Sequence, residues 1–339
     1  MIVKTRGFNL SATRLSQSID ITLGSSEFSE PLKPKTYKEK NMDKKLLSSL
    51  LAFGIASAAS AQIIEVSGDI DSTSTNTTWG DDESEVVLSG TVFVKDGVTL
   101  NILPGTIVRG QPRFASGAAG SPGSLVVTQS GRIVADGNVN NPIVFTTAAV
   151  DNDGDDIPDD DDTNGFADTW VSGDTFYDAD PIGSPLPAEA AGDIPGASGT
   201  GLAANVELWG GLVVLGNAPT NLGTTDNPTA KVGNVEGLTA NADSQYGGTV
   251  ANDDSGVLRF VSVRHGGEVL GSDNEINGIT LAGVGFGTTV EFCEVYMNWD
   301  DGFEWFGGTV NGKNLVATYI GDDSFDGDQG WIGQVQFAF

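Results

Sequence analysis

Basic residues are scarce in this chain. Seventeen Lys and Arg stand against 46 Asp and Glu, and with one neutral histidine the formal net charge is −29. A surface with that excess repels nucleic-acid phosphates and anionic lipid and gathers cations. Cysteine is rarer still: Cys293 is alone, which excludes an intrachain disulfide. It lies in Val290-Glu291-Phe292-Cys293-Glu294-Val295, where interleaved apolar and acidic residues predict a strand with a small buried thiol. The sole histidine, His265, is far from it in sequence, so no Cys/His nucleophile pair is expected. Helix-forming stretches of Leu, Ala, Glu and Lys are missing, as is any apolar run of the ~20 residues a membrane-spanning helix needs. Neither a nucleic-acid partner nor a transmembrane segment is expected.

The longest apolar run is short and has a different meaning. Met42-Asp43-Lys44-Lys45 precedes Leu46 to Ala58, and Ala59-Ser60-Ala61 follows. A basic start, a short apolar stretch and an A-x-A triplet predict a signal peptide over 42–61, cleaved before Gln62. Such leaders open a translated chain, so 1–41 reads as upstream sequence ahead of a true start at Met42. Removing 1–61 takes nine of the 17 basic and five of the 46 acidic residues, leaving 8 against 41 and a net charge of −33. The expected location is extracellular or on the cell surface.

Glycine, at 46 residues, is abundant, and from Thr91 onward it punctuates short β-prone runs: Thr91 to Val94, Val98 to Ile102, Thr106 to Val108, Leu125 to Thr128, Arg132 to Ala135 and Ile143 to Thr147. Strands this short, without helical crossovers, exclude a doubly wound α/β fold and leave a sandwich, a propeller or a β-helix. Repetition separates these. Asp300-Asp301-Gly302-Phe303-Glu304 recurs as Asp322-Asp323-Ser324-Phe325-Asp326 after 22 residues, and Gly308-Thr309-Val310 falls on Gly330-Trp331-Ile332 under the same shift. A propeller blade needs ~40–45 residues, whereas ~22 suits one coil of a solenoid. The fold expected is therefore all-β, a right-handed parallel β-helix with inserted loops. Residues 62–90 form its lead-in and 91–339 the helix, with polar insertions at 148–205 and 220–252. Phe303 stacks over Phe325 in this reading, and Gln334 to Phe339 is strand-like with no polar cap after it, so the helix reads as either incomplete or uncapped there. An uncapped coil invites self-association through the ends of the solenoid.

Several segments also carry a resemblance: Thr91 to Val108, Asn141 to Thr147, Trp209 to Pro219 and Gly302 to Gly308. Across roughly 88–339 they are similar to a family of secreted β-helix proteins of Gram-negative bacteria. That resemblance implies the fold and an exported or cell-surface location, and it transfers no catalytic residue.

The sharpest local motif is acidic. Asp151, Asp153 and Asp155 alternate at positions 1, 3 and 5 of a loop, the Ile157 carbonyl takes position 7, and Asp159 and Asp162 take 9 and 12. Oxygen donors in that order suit Ca²⁺, and without a cation their charges repel. The loop resembles the Asp-rich calcium loops of thrombospondin type 3 and dockerin-like repeats. It departs from them at Asp156, where glycine is usual, and at Asp162, where glutamate is usual.

A second acidic set lies on the repeat: Asp300 and Asp301, Asp322 and Asp323, with Asp326 and Asp328 nearby. Stacked coils bring Asp301 and Asp323 to one face, where paired carboxyls serve as acid and base in some β-helix glycosidases. Polygalacturonase-type and calcium-dependent lyase sites also use a basic residue, and none lies between Arg264 and Lys313 apart from His265. Turn or cation roles are therefore favoured for these acids. His265, beside a Gly-Gly turn, reads as structural, and Trp209, Trp299, Trp305 and Trp331 read mainly as interior ladder residues. The balance favours a non-enzymatic extracellular protein: calcium-stabilised, structural or adhesive, able to assemble into filaments and to meet a glycan or surface ligand. The alternative is a polysaccharide-degrading enzyme using Asp301 and Asp323.

Overall fold

The computed structural model describes residues 63–80, 85–112, 121–152, 206–223, 232–236, 238–271 and 274–339, with 158, 167, 170–172 and 174–177. The leader at 42–61 and the segment before it lie outside the described residues.

Alternation builds the strands and stacking joins them. β1 (Ile63–Val66) opens the third face of a three-sided helix, and the next coil runs through a bridge at Ile70, then β2 (Thr78–Trp79) and β3 (Glu85–Leu88). Two regular coils follow, β4 (Thr91–Val94), β5 (Thr99–Ile102) and β6 (Ile107–Gly110), then β7 (Ser124–Val127), β8 (Arg132–Asp136) and β9 (Ile143–Thr147). The fourth coil starts with β10 (Leu212–Leu215) and carries a two-residue-strand hairpin, β11 (Gly233–Asn234) and β12 (Gln245–Tyr246). It resumes with β13 (Gly256–Arg259) and β14 (Val261–Arg264), then makes a small hairpin of β15 (Val269–Gly271) and β16 (Asn274–Glu275). The last coils are β17 (Ile279–Ala282) with β18 (Thr289–Asn298), β19 (Phe303–Phe306) with β20 (Asn311–Ile320), and β21 (Phe325–Asp328) with β22 (Val335–Ala338).

The first face is the parallel ladder β4-β7-β10-β17-β19-β21. The second runs β2-β5-β8-β13-β18-β20-β22, and the third β1-β3-β6-β9-β14-β18-β20. β18 and β20, ten residues each, bend through the shared corner and join these two faces into one 12-stranded sheet. A sandwich is excluded, because the ladders are parallel and the antiparallel strand pairs are the two small hairpins. Helical crossovers are not required between parallel strands here, since each coil returns by way of the other two faces. The chain is a right-handed parallel β-helix. Among the described residues the parallel ladder already includes Ile63–Val66, in the expected lead-in, a stretch whose two- and four-residue strands give little periodicity to read.

The interior is a set of columns. On the first face Val92, Leu125, Leu212, Ile279 and Phe303 are fully buried over one another, with Phe325 next in register. The neighbouring column is Val94, Val127, Val214, Leu281 and Trp305. Phe303 and Phe325 stack at 5.5 Å and 11°, as the 22-residue shift predicts, and Trp305 stacks on Trp331 at 4.7 Å. Each fully buried Leu, Ile, Val or Phe contributes about 1.5–3 kcal/mol, so these columns dominate the stability. Trp209 and Trp305 are core residues; Trp299 packs against the small cluster of Val206, Tyr296 and Met297. Cys293 is enclosed in the same core, and its thiol is pushed up to about 12 by burial. No described helix is long and apolar enough to cross a membrane.

Two excursions leave the coils. The described part of the first docks by aromatic contacts: Phe176 bridges to Val150, stacks on Trp170 at 5.2 Å and lies 4.1 Å beneath the Arg109 guanidinium. The second folds back over the outer side of the first face. Its Val235 and Tyr246 form a satellite apolar cluster with Val126, Val213, Leu215, Ala282 and Phe306.

Candidate functional site

Outward residues of the first face also form a column, and its character changes along the axis. Phe93, Val126, Val213, Thr280, Glu304 and Asp326 are in register. The first three are covered apolar positions, whereas the last two are carboxylates one rung apart, ~4.8 Å along the axis. The turns preceding β19 and β21 add Asp300, Asp301 and Asp322. Carboxylate oxygens of Asp300, Asp301 and Asp322 lie within 4.8 Å of one another, and so do those of Asp301, Glu304 and Asp326. Asp301 belongs to both groups.

Backbone and amide contacts hold this arrangement. The Asp301 N–H donates to Asn277 Oδ1 (3.2 Å), and Asn298 Nδ2 donates to the Asp301 carbonyl (2.9 Å). Asn277, fully buried, turns its Nδ2 to donate to Glu304 Oε2. On the insertion side Tyr246 donates its hydroxyl to Gln329 Oε1 at 2.6 Å. Tyr246 and Val235 dock the insertion, and Glu236 follows Val235, which brings its carboxyl to Asn277 and Glu304.

Burial beside like charge sets the protonation. Loss of hydration is the first cause throughout. It raises Glu304 to about 9, with Glu236 and Asp301 adding repulsion. Asp301 rises to about 7 against the hydrogen bond from Asp323, and Asp300 to about 6. Glu236, although exposed, is raised by desolvation of its carboxyl and by the charge of Asp300. Among the described residues no Lys or Arg forms an ion pair with Asp300, Asp301, Glu304, Asp322 or Asp326. Asp300, Asp301 and Glu304, withdrawn from water beside like charge, need protons or a cation. A hard cation fits the oxygen-only donor set.

The expected meeting of Asp301 and Asp323 carboxyls takes another form. Asp323 donates its main-chain N–H to Asp301 Oδ1 at 2.8 Å, and its own carboxyl joins neither triplet. In these turns the aspartate side chain caps the amide one coil on, as Asp does in turns generally. The acids that complete the groups are Asp322 from the same turn and Asp326 from the strand. Glu304 and Asp326 were within reach of the 22-residue shift, since that shift superposes them. Glu236 and Asn277 carried no sequence signal, because only the fold of the 220–252 insertion and the turn before β17 places them.

Of the expected calcium loop, Asp151 is described. It is buried and its N–H donates to the Thr175 carbonyl at 3.0 Å, while Asn152 Oδ1 accepts from the Thr175 N–H. Asp153, Asp155, Ile157, Asp159 and Asp162 lie outside the described residues. His265 is buried edge-on between Tyr177 (5.6 Å) and Tyr296 (6.1 Å), a packing position.

The family model described as a pectate-lyase-like β-helix domain matches residues 70–157 and 200–339, which is more than half of the chain. No curated protein and no solved structure gives a match.

Proposed function

We propose, from the premise that the chain belongs to the pectate-lyase-like β-helix family, that it is a secreted, calcium-stabilised structural or adhesive protein that meets polysaccharide at the bacterial surface. The observation that carries this reading is the pair of carboxylate triplets sharing Asp301, with no Lys or Arg in ion-pair contact with them among the described residues. Ca²⁺ accepts six to eight oxygen ligands in flexible geometry, which suits clustered Asp and Glu better than the strict octahedron of Mg²⁺. The Asp151 to Asp162 loop supplies a second set of the same chemistry. Calorimetric titration of the full chain with Ca²⁺ tests the reading. Asp301→Asn should remove one class of sites and Asp155→Asn the other; no Ca²⁺ heat in the unaltered chain, with no change of melting temperature in chelator, rejects it.

A second reading has its own support. Glu304, held protonated by a pKa of about 9, sits within 4.8 Å of Asp301 and Asp326 oxygens, close to the ~5–5.5 Å spacing of a retaining glycosidase pair. In that reading Glu304 is the proton donor. Release of reducing ends from a polysaccharide panel, lost in Glu304→Gln and Asp301→Asn, would establish the hydrolase and displace the structural reading.

A further inference from the structure

The corner between the second and third faces carries a residue in the left-handed conformation on four successive coils: Phe260 (φ 49°), Phe292 (φ 54°), Asn314 (φ 54°) and Phe337 (φ 62°). They are equivalent rungs, because the residues just before them pair in register: Arg259 with Glu291, Glu291 with Lys313, Lys313 with Gln336. Asparagine tolerates this backbone well, and a bulky aromatic does not. Three of the four rungs nevertheless carry phenylalanine, and on the outside: Phe292 is 45% and Phe337 66% exposed. The left-handed state itself belongs to the bends of the solenoid, since His265, Met297 and Tyr319 share it on equivalent rungs of the next corner; what neither the backbone nor burial explains is the choice of exposed phenylalanine here.

Phe260 and Phe292 stack at 4.7 Å and 5°, which is the spacing of adjacent rungs. Asn314 interrupts the series. Phe292 and Phe337 are therefore two rungs apart, ~9.6 Å at a strand spacing of ~4.8 Å. Both line an apolar groove of about 400 Å³, with Asn314 between them and Glu294 at the rim.

We infer that this groove is a binding site for a neutral pyranose, one residue of a hexose polymer, held between Phe292 and Phe337. A flat aromatic ring in contact at ~3.5 Å on each side needs only ~7 Å and leaves the gap underfilled. A puckered saturated ring, with C–H groups on both faces, takes about 8–9 Å at the same contact distances. Its electropositive C–H groups meet the negative faces of the two rings. Asn314 offers one amide donor set and one carbonyl acceptor to the hydroxyls, and Glu294 accepts. Charge decides which sugar. The carboxylates at this corner are paired, Glu291 with Arg259 (3.4 Å) and Glu294 with Arg264 (3.7 Å), and the net charge of −29 over the chain disfavours a uronate, so the complementary occupant is uncharged. The groove lies on a different face from the carboxylate column, and the inference stands apart from the calcium reading.

Calorimetry of the full chain with cellohexaose and mannohexaose tests it, with hexagalacturonate and N-acetyltryptophanamide as competitors of other chemistry. At least one neutral hexaose should bind, and chelator should leave that binding unchanged. Asn314→Phe completes the aromatic series and fills the slot, lowering affinity by about tenfold or more with the circular dichroism intact. Phe337→Ala removes one wall and gives the same direction of change, which keeps the test decisive if the first variant folds poorly. Absence of binding by both hexaoses, binding indifferent to both substitutions, or preference for hexagalacturonate or the tryptophan amide overturns the inference.

Discussion

Asp301→Asn is expected to stabilise the cation-free protein at alkaline pH while abolishing its response to Ca²⁺ at that site. The Asp301 carboxyl is buried, and burial raises it from 3.8 to about 7. Below pH ~4 the folded and unfolded chains both hold this proton and the group makes no difference to stability. Between pH 4 and 7 the unfolded chain loses it first, so stability falls as pH rises, and above 7 the full penalty applies. A carboxyl displaced that far corresponds to at most about 4 kcal/mol at ~1.4 kcal/mol per tenfold. Asp300 and Glu304 share the same surroundings, so their penalties do not add independently. The asparagine keeps an oxygen to accept from Asp323 and carries no charge. If half the penalty survives relaxation, the ~2 kcal/mol raises Tm by roughly 4–8 °C in a domain of this size. Calorimetric melts in chelator at about pH 3 and pH 8 measure this: the pH-dependent part of the difference between variant and parent should vanish at the lower pH and appear in full at the higher. Saturating Ca²⁺, worth ~2.7 kcal/mol per site at a hundredfold excess over Kd, should then close the gap, because the parent gains from both sites and the variant from the loop alone. A parent flat between the two pH values in chelator, or a variant less stable at both, refutes the reasoning.

Three further outcomes follow from the core. Phe303→Ala breaks the column between Ile279 and Phe325 and removes the ring stacked beside Trp305, and should cost about 3–5 kcal/mol in urea unfolding, with loss of the near-ultraviolet aromatic signal. Cys293, buried with its thiol pushed up to about 12, should resist Ellman's reagent at pH 8 until the chain is unfolded; rapid reaction of the native protein would contradict its placement. Gly256 has φ +126°, and an added Cβ would meet the Ile133 carbonyl oxygen at 1.7 Å. Gly256→Ala should therefore destabilise by several kcal/mol, on the order of 3 or more, or prevent folding, as read by soluble yield and melting temperature.

The solenoid was legible because its physics is local and repetitive. Each coil reuses one alternation, and a 22-residue shift that aligns Phe303 with Phe325 in sequence also aligns them in space. The irregular rungs were less legible: the step from Leu125 to Leu212 is 87 residues, because an excursion lies between, and no periodicity survives it. Of the candidate site, Asp300, Asp301 and Asp322 came with the repeat. Asp323, expected beside Asp301, meets it through its main-chain N–H, a contact that strand alternation does not foretell because both residues lie in turns. At the aromatic corner, four left-handed residues on successive rungs belong to three phenylalanines and one asparagine, a backbone state that phenylalanine does not advertise.

Where the carboxylates sit is itself a consequence of the second excursion. Along the outer column of the first face, Val126 and Val213 stay apolar under the cover of Val235 and Tyr246, and Thr280 is the transition. Glu304 is next, buried but within reach of Glu236 at the margin of that cover, and Asp326, half-buried, follows. A carboxyl fully under the apolar cover would be neutral and inert, and one fully in water would titrate near 4. At the margin the cover removes hydration from one side while the adjoining turns of the solenoid supply like charges from the other. That combination raises Glu304, Asp301 and Asp300 by descending amounts, to about 9, 7 and 6. The same hairpin that protects the apolar rungs therefore creates the electrostatic demand at their edge. A substitution that loosens it, such as Tyr246→Ala, should lower all three values together without touching a carboxylate. Following the Asp and Glu carboxyl carbons by NMR titration would register that shift, and unchanged titration midpoints would show that the solenoid alone sets the site.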